Sequence, residues 1–319
     1  MSLASGETKT GIAVAAPRRK LVWPRPRLSY TGQLVLMLLP FVAGLLLLGI
    51  GPALAGLPLA LTHYNLLRPP VFAGLANIQE MLGDQVFRRA LFNTLFYIVV
   101  AVPLRLAGAL LLAVLLAASV RGVVVFRGAV YLPTVIPDVA WALVWLWVLN
   151  PFHGPLNQML GLFGLPGPLW LTGEWSSRVA IVLMLFWQLG EGFIICLAAL
   201  AGVPRALLDQ AAVDGSTAKQ TFWRITLPVI APVLLVLLAR DTAASLKATA
   251  VPGLIFEPST GMREGGFFLP NYIYETAFEY LRFGYASAMT WALYGLTALA
   301  IWVQFRMVQR WSVSVDGDD

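Results

Sequence analysis

The sequence predicts an all-α, polytopic integral membrane protein with six transmembrane helices. Three observations carry that reading. Of 319 residues, 59% are hydrophobic and only 12% charged, against roughly 25% charged in a soluble domain. Six apolar runs each reach the ~20 residues needed to cross a bilayer. The cationic residues are sorted by side. Of the 22 Lys and Arg residues, 13 fall in the N-terminal tail, the 119–127 connection, the 201–224 stretch and the C-terminal end, six fall in the alternate loops, and three lie inside spans. Positive charge gathers on the cytoplasmic side, so both termini are expected there.

The same sorting accounts for the net charge of +6 without nucleic acid. The single cysteine, Cys196, excludes an internal disulfide framework. With only His63 and His153, a histidine-built metal centre is not expected either. The chain contains no G-x-x-x-x-G-K-[ST] phosphate loop and no G-x-S-x-G elbow. It is therefore expected not to be an enzyme, a membrane-embedded transferase being the remote alternative.

Residues 1–30 form a basic tail interrupted by Pro17, Pro24 and Pro26, and 31–310 form the membrane domain. The first span, Leu34 to Leu61, is too long for a signal-peptide core and carries Pro40, Pro52 and Pro58, so a kinked or broken helix is expected. Leu91 to Ala118 and Val130 to Leu149 are the second and third spans. The Gly- and Pro-rich 150–177 stretch reads as a loop with short surface or re-entrant pieces. Val179 to Leu200, Leu227 to Val251 and Ala286 to Phe305 complete the set, and 311–319 is a short acidic tail.

Between the fourth and fifth spans lies a polar island, 203–228, with the sequence V-P-R-A-L-L-D-Q-A-A-V-D-G-S-T-A-K-Q-T-F-W-R-I-T-L-P. Ala206, Leu207, Ala211 and Val213 are placed to form an apolar stripe. Gly215 permits a sharp turn, and Thr217 to Arg224 makes a second short helix. Pro228 then opens the fifth span, where an early helical position needs no N–H. A short helix-turn-helix against the membrane surface is the physical reading.

D-Q-A-A-V-D-G, nine residues and I-T-L-P resemble the "EAA" coupling loop of permease subunits of binding-protein-dependent ABC importers. Aligned on Gly215, Ile225, Leu227 and Pro228, Asp209 takes the place of the family's Glu, Gln210 and Ala211 take those of its two alanines, and Ala212 and Asp214-Gly215 follow. N-T-L-F-Y at 93–97, Y-L-P-T-V-I-P-D-V-A-W at 131–141, L-N-P-F-H-G-P-L-N at 149–157 and F-G-Y-A-S-A at 283–288 are similar to the carbohydrate-importing branch, of maltose/trehalose type. The resemblance spans about 85–310. It implies the type I importer permease fold in a bacterial or archaeal plasma (inner) membrane, carrying a sugar, a di- or oligosaccharide, inward. The implied partners are a second permease subunit, two cytoplasmic ATPase subunits that bind ATP and Mg, an extracytoplasmic solute-binding protein and membrane lipid. A glycerol phosphate or polyamine is the alternative cargo. In place of the T-x-G-G-P turn that often ends the family's fifth span, this chain has L-I-F-E-P-S-T-G-M-R-E-G-G.

Ionisable groups inside spans are costly and mark functional candidates. Here they are Arg105, Glu191, Arg240, Asp241 and Lys247. Arg240 and Asp241 point about 100° apart on a helix, so each is expected to find a partner elsewhere. The resemblance places solute contacts late in the fifth span and in the sixth, which makes Ser245, Lys247, Thr249, Thr290 and Tyr294 candidates, with Glu191 on the fourth span.

Overall fold

The computed structural model describes residues 29–118, 121–244 and 265–309. The chain divides at Ala53/Leu54 into two units. The helix α1 runs from Tyr30 to Ala60 and is started by Ser29, whose Oγ accepts from the Gly32 N–H at 3.2 Å. Its prolines do not break it. A wide-turn segment, Leu45–Ile50, ends on a bond from Gly51 N–H to Leu46 C=O, just before Pro52. The device recurs twice: Val102 N–H bonds Tyr97 C=O before Pro103, and Leu227 N–H bonds Phe222 C=O before Pro228. Proline has no N–H and crowds the preceding turn, and widening that turn by one residue lets the helix pass through it.

The second unit is mostly helical. A small antiparallel ribbon, β1 (Thr62–His63) and β2 (Val71–Phe72), departs from the all-α expectation. Asn77, on α2 (Ala76–Gly83), pins the ribbon by donating to Ala60 C=O and Thr62 C=O at 2.8 and 2.9 Å. The second span is α3, Gln85–Leu115, six residues longer at its outer end than expected. The third and fourth spans are not single helices. The third is α4 (Val123–Val135) and α5 (Asp138–Val148), bent by 99°; the fourth is α7 (Glu174–Trp187) and α8 (Gly190–Ala201), bent by 51°. Between them α6 (Pro155–Leu162) lies in the 150–177 connection, which is held by Asn157: its side chain bonds Pro151 C=O, Pro168 C=O and the Trp170 indole.

After α9 (Arg205–Val213) comes α10, Ala218–Ala244, one unbroken helix of 27 residues. The expected separate helix at 217–224 is therefore the first turns of the fifth span, and Pro228 lies inside that span rather than at its start. Then follow α11 (Leu269–Tyr274), a wide-turn segment to Glu279, and α12 (Phe283–Gln309). Among the described residues four helices are long and apolar enough to cross a membrane, and six candidate spans result when each bent pair is counted as one. Three apolar clusters hold the unit. One, of Ala109, Ala113, Leu189, Phe193, Cys196 and Leu237, ties α3, α8 and α10 together.

Candidate functional site

The 203–228 stretch is a helix, a turn and the root of the next helix. In α9, Leu207 and Leu208 are half-buried and Ala211 is 3% exposed, while Ala206, Asp209, Gln210 and Val213 face outward. Those outward positions fall at i, i+3, i+4 and i+7, one face of a helix. The expected inner stripe is corrected accordingly: Leu208 belongs to it, whereas Ala206 and Val213 do not, and Val213 is 88% exposed. Ala212 and Asp214 are also exposed; Ile225, Leu227 and Pro228 are half-buried on α10.

Gly215 ends α9. Its φ of +74° is the left-handed conformation, and its N–H bonds Ala212 C=O at 3.2 Å while Ser216 N–H bonds Ala211 C=O at 2.9 Å. This pair of bonds satisfies the carbonyls that a helix end leaves over and reverses the chain. A Cβ on Gly215 would meet nothing within 4 Å, so the glycine is required by its backbone angle and not by close packing of the two arms. Thr217 then starts α10 with a reciprocal cap: Gln220 N–H to Thr217 Oγ1 at 3.3 Å and Thr217 N–H to Gln220 Oε1 at 2.9 Å. Behind α9, an open crevice of about 460 Å³ separates Leu208 and Ala212 from Val114, Leu200 and Phe222. Trp223, 55% exposed on α10, adds a second bare apolar group to this surface. Sequence reasoning missed both Trp223 and the outward aim of Val213; helical phase from Ala211, once known to be buried, identifies the latter.

The second constellation lies deep in the membrane domain, where the breaks in the third and fourth spans meet. A Cβ on Gly190 would overlap Thr134 Oγ1 and sit 2.8 Å from Tyr131 Cα. Irregular backbone at this depth needs other partners for its polar groups. Arg105 supplies them at Gln188, whose carbonyl accepts from Arg105 Nε at 3.1 Å and Nη2 at 2.8 Å. Arg105 Nη1 reaches Asp241 Oδ2 at 3.4 Å. Asp241 Oδ1 in turn accepts from Arg240 Nε and Nη2 at 3.1 and 2.8 Å, and Arg240 Nη1 donates to Glu191 at 2.5 Å. Arg240 and Asp241 thus pair with each other as well as outward, because a flexible guanidinium can fold back across the 100° between them.

The four charges alternate in sign and sum to zero. Arg105 lies about 30 Å along α3 from Gln85, and Arg240 about 33 Å along α10 from Ala218. The Glu191 side chain is 54% exposed and that of Arg240 35%. An ion facing lipid at the centre of a span costs roughly 2.5–3.5 kcal/mol on insertion scales, and ionisable groups within spans seldom face hydrocarbon.

Of the other solute candidates, Thr290 donates to the Ala286 carbonyl of its own helix at 2.8 Å, and Tyr294 is 39% exposed beside Trp291. Ser245, Lys247 and Thr249 lie outside the described residues, as does most of the 254–266 stretch. Arg178, one of the six cationic residues expected in the alternate loops, is a buried residue of α7. It donates to Asn93 at 3.0 Å and Glu174 at 2.9 Å, with its guanidinium against the faces of Phe92 and Trp175.

At the opposite end from the 203–228 stretch, Arg68, His63 and Arg282 border an open cleft of about 480 Å³. Its wall requires Gly284, where a Cβ would overlap the Thr62 carbonyl oxygen. Nearby, Asp84 caps α3 through Val86 N–H at 2.8 Å and accepts from Tyr272 at 2.5 Å and Tyr285 at 2.7 Å. Burial pushes the Asp84 carboxyl up, but these hydrogen bonds outweigh it and hold it below the ordinary carboxylate range. Burial, and then the bond to Asp84, push the Tyr272 hydroxyl up. A depressed carboxylate contributes stability above the unfolded value, about pH 4, and loses it as pH falls through the folded one; the raised tyrosine loses its contribution only as pH rises beyond about 10. Asp84→Asn is therefore expected to lower thermal stability by about 1–2 kcal/mol at neutral pH. Wild type should fall toward the variant only in strong acid. A gap that persists unchanged to pH 3 would contradict this.

A family model described as "binding-protein-dependent transport system inner membrane component" matches residues 86–313. The probable ABC transporter permease YesP of Bacillus subtilis is 32% identical over 275 residues, covering 85% of this chain and 89% of that protein. The lactose permease LacF of Rhizobium radiobacter is 29% identical, covering 73% and 80%, and the sn-glycerol-3-phosphate permease UgpA of Agrobacterium fabrum is 27% identical, covering 75% and 81%. Among solved structures, a chain of a bacterial ABC transporter that imports the acidic polysaccharide alginate superposes with a TM-score of 0.75 at 26% identity, over 87% of this chain and 95% of that one.

Proposed function

Since the chain belongs to the inner-membrane components of binding-protein-dependent transport systems, we propose that it is a permease subunit of an ATP-driven importer that passes a di- or oligosaccharide inward. The single observation that carries the coupling half of this reading is the outward face of α9. Ala206, Asp209, Gln210 and Val213 stand clear of their own unit, behind a turn whose backbone is set by Gly215. Such a ridge suits a cleft on a cytoplasmic ATPase, and the root of α10 carries its displacement into the membrane. The ATPase pair holds the ATP and Mg; this chain contributes no catalytic group. A second permease covers the face on which Glu191 and Arg240 are exposed, and the solute passes between the two subunits. Glu191, Thr290 and Tyr294, with Ser245, Lys247 and Thr249, are the residues placed to meet it. A solute-binding protein delivers it from the side of the 480 Å³ cleft. Both termini lie in the cytoplasm of a bacterial or archaeal cell.

An anionic cargo is the second reading, because relatives carry glycerol phosphate and the structural neighbour carries an acidic polysaccharide. Arg105 lends it no support, being paired with Asp241. ATP hydrolysis by the reconstituted complex with its binding protein, assayed against neutral oligosaccharides, uronate oligomers, glycerol phosphate and polyamines, separates the readings. Stimulation by a neutral di- or oligosaccharide is expected. Response to an anion or a polyamine alone would overturn the sugar assignment.

A further inference from the structure

We propose that Arg105, Arg240 and Asp241 are positioning residues that fasten the break in the fourth span to the helix driven by the coupling turn, about 33 Å from its root. The inference rests on the coupling reading above and adds the path by which the drive reaches the solute route.

α10 is continuous from Ala218, three residues past Gly215, to Ala244. A continuous helix about 40 Å long behaves as a rod, so motion of its root is delivered along its length. Arg240 and Asp241 lie 22 and 23 residues along it from Ala218. Their partners sit on the two sides of one feature, the bend between α7 and α8. Arg105 joins Asp241 to the Gln188 carbonyl before the bend, and Arg240 joins the rod to Glu191 just after it. The guanidinium of Arg105 spends two N–H groups on Gln188, the carbonyl left over where α7 ends. It therefore holds the bend in shape while linking it to the rod.

Apolar packing of Leu237 against Phe193 and Cys196 would resist separation of the same helices, yet it is non-directional and permits sliding. The charge-assisted bonds are directional and fix register along the rod. Cutting them should let α10 follow the ATPase without carrying the bend with it. ATP would then be hydrolysed without its load.

The test uses the complete complex in nanodiscs, with partner permease and ATPase pair, without binding protein, and with ATP as the only added ligand. Hydrolysis is expressed per assembled complex. Arg240→Gln and Asp241→Asn are each expected to raise it about three- to tenfold. Arg105→Lys, which keeps the charge and loses the fork on Gln188, should raise it too, and it decides alone if the other variants fail to assemble. The double variant Arg240→Gln/Glu191→Gln should do no more than Arg240→Gln, as expected of residues acting through one bond. Rates within about twofold of wild type in every assembled single variant, or effects that multiply in the double, overturn the proposal. Gly215→Val tells the two readings apart. Lost hydrolysis there, with a wild-type rate in Arg240→Gln, overturns the fastening alone; wild-type rates in both overturn the coupling reading with it.

Discussion

Replacing Gly215 with valine is expected to abolish ATP hydrolysis by the complex while the permease still inserts and pairs with its partner. With φ at +74°, any L-residue there sits in the left-handed region, at a cost of roughly 1–2 kcal/mol and more for a β-branched one. The surroundings offer no clash, since a Cβ meets nothing within 4 Å. The damage is therefore to the direction in which the chain leaves α9, and the Ser216-to-Ala211 and Gly215-to-Ala212 bonds are the first to go. A graded result follows. Asparagine, which tolerates this conformation, should retain most of the activity despite its bulk, whereas alanine should lose part and valine nearly all. Measuring hydrolysis and co-purification of the ATPase across Gly215→Asn, Gly215→Ala and Gly215→Val checks it. If loss instead follows side-chain volume, with asparagine as damaging as valine, the backbone argument fails.

Gly190→Ala is expected to be nearly as severe for the opposite reason. Here there is no special φ, but the added methyl would overlap Thr134 Oγ1 and press on Tyr131 Cα at 2.8 Å and Val130 O at 3.0 Å. Overpacking of this kind costs about 1–3 kcal/mol, and backbone atoms cannot rotate out of the way. The two broken spans should be pushed apart, lowering thermal stability of the purified subunit by that amount and transport at least about tenfold. Thr134 Oγ1 is buried with no hydrogen-bond partner among the described residues, so Thr134→Ala by itself should be mild. Combined with Gly190→Ala it should recover part of the loss and leave the part due to Tyr131. Equal stability of Gly190→Ala and wild type would remove the contact between the two breaks from the mechanism.

The comparison of position 209–210 with the family pattern also changes meaning in the structure. Gln210, bulky where the family has alanine, points outward, so its extra atoms disturb nothing inside this chain. Ala211, 3% exposed, is the alanine that internal packing requires. Asp209, one methylene shorter than glutamate, is on the same outward face as Gln210.

By itself the sequence determined the class, the number of spans, the place of the polar island and its turn. Those follow from quantities local to the chain: apolar length against bilayer thickness, and a glycine flanked by capping residues. It also marked Arg105, Glu191, Arg240 and Asp241, since a charge inside an apolar run is conspicuous without any fold. Only the tertiary structure decided what they do. The pairing of Arg105 with Asp241 joins residues 136 apart in sequence, and the backfolding of Arg240 onto its neighbour depends on Glu191 arriving from another helix. The two breaks were hidden for a related reason. Y-L-P-T-V-I-P-D-V-A-W and W-Q-L-G-E-G-F keep enough apolar residues to read as continuous spans; only the fold shows that they meet at Gly190 and that Arg105, from another helix, satisfies the Gln188 carbonyl exposed at the second bend.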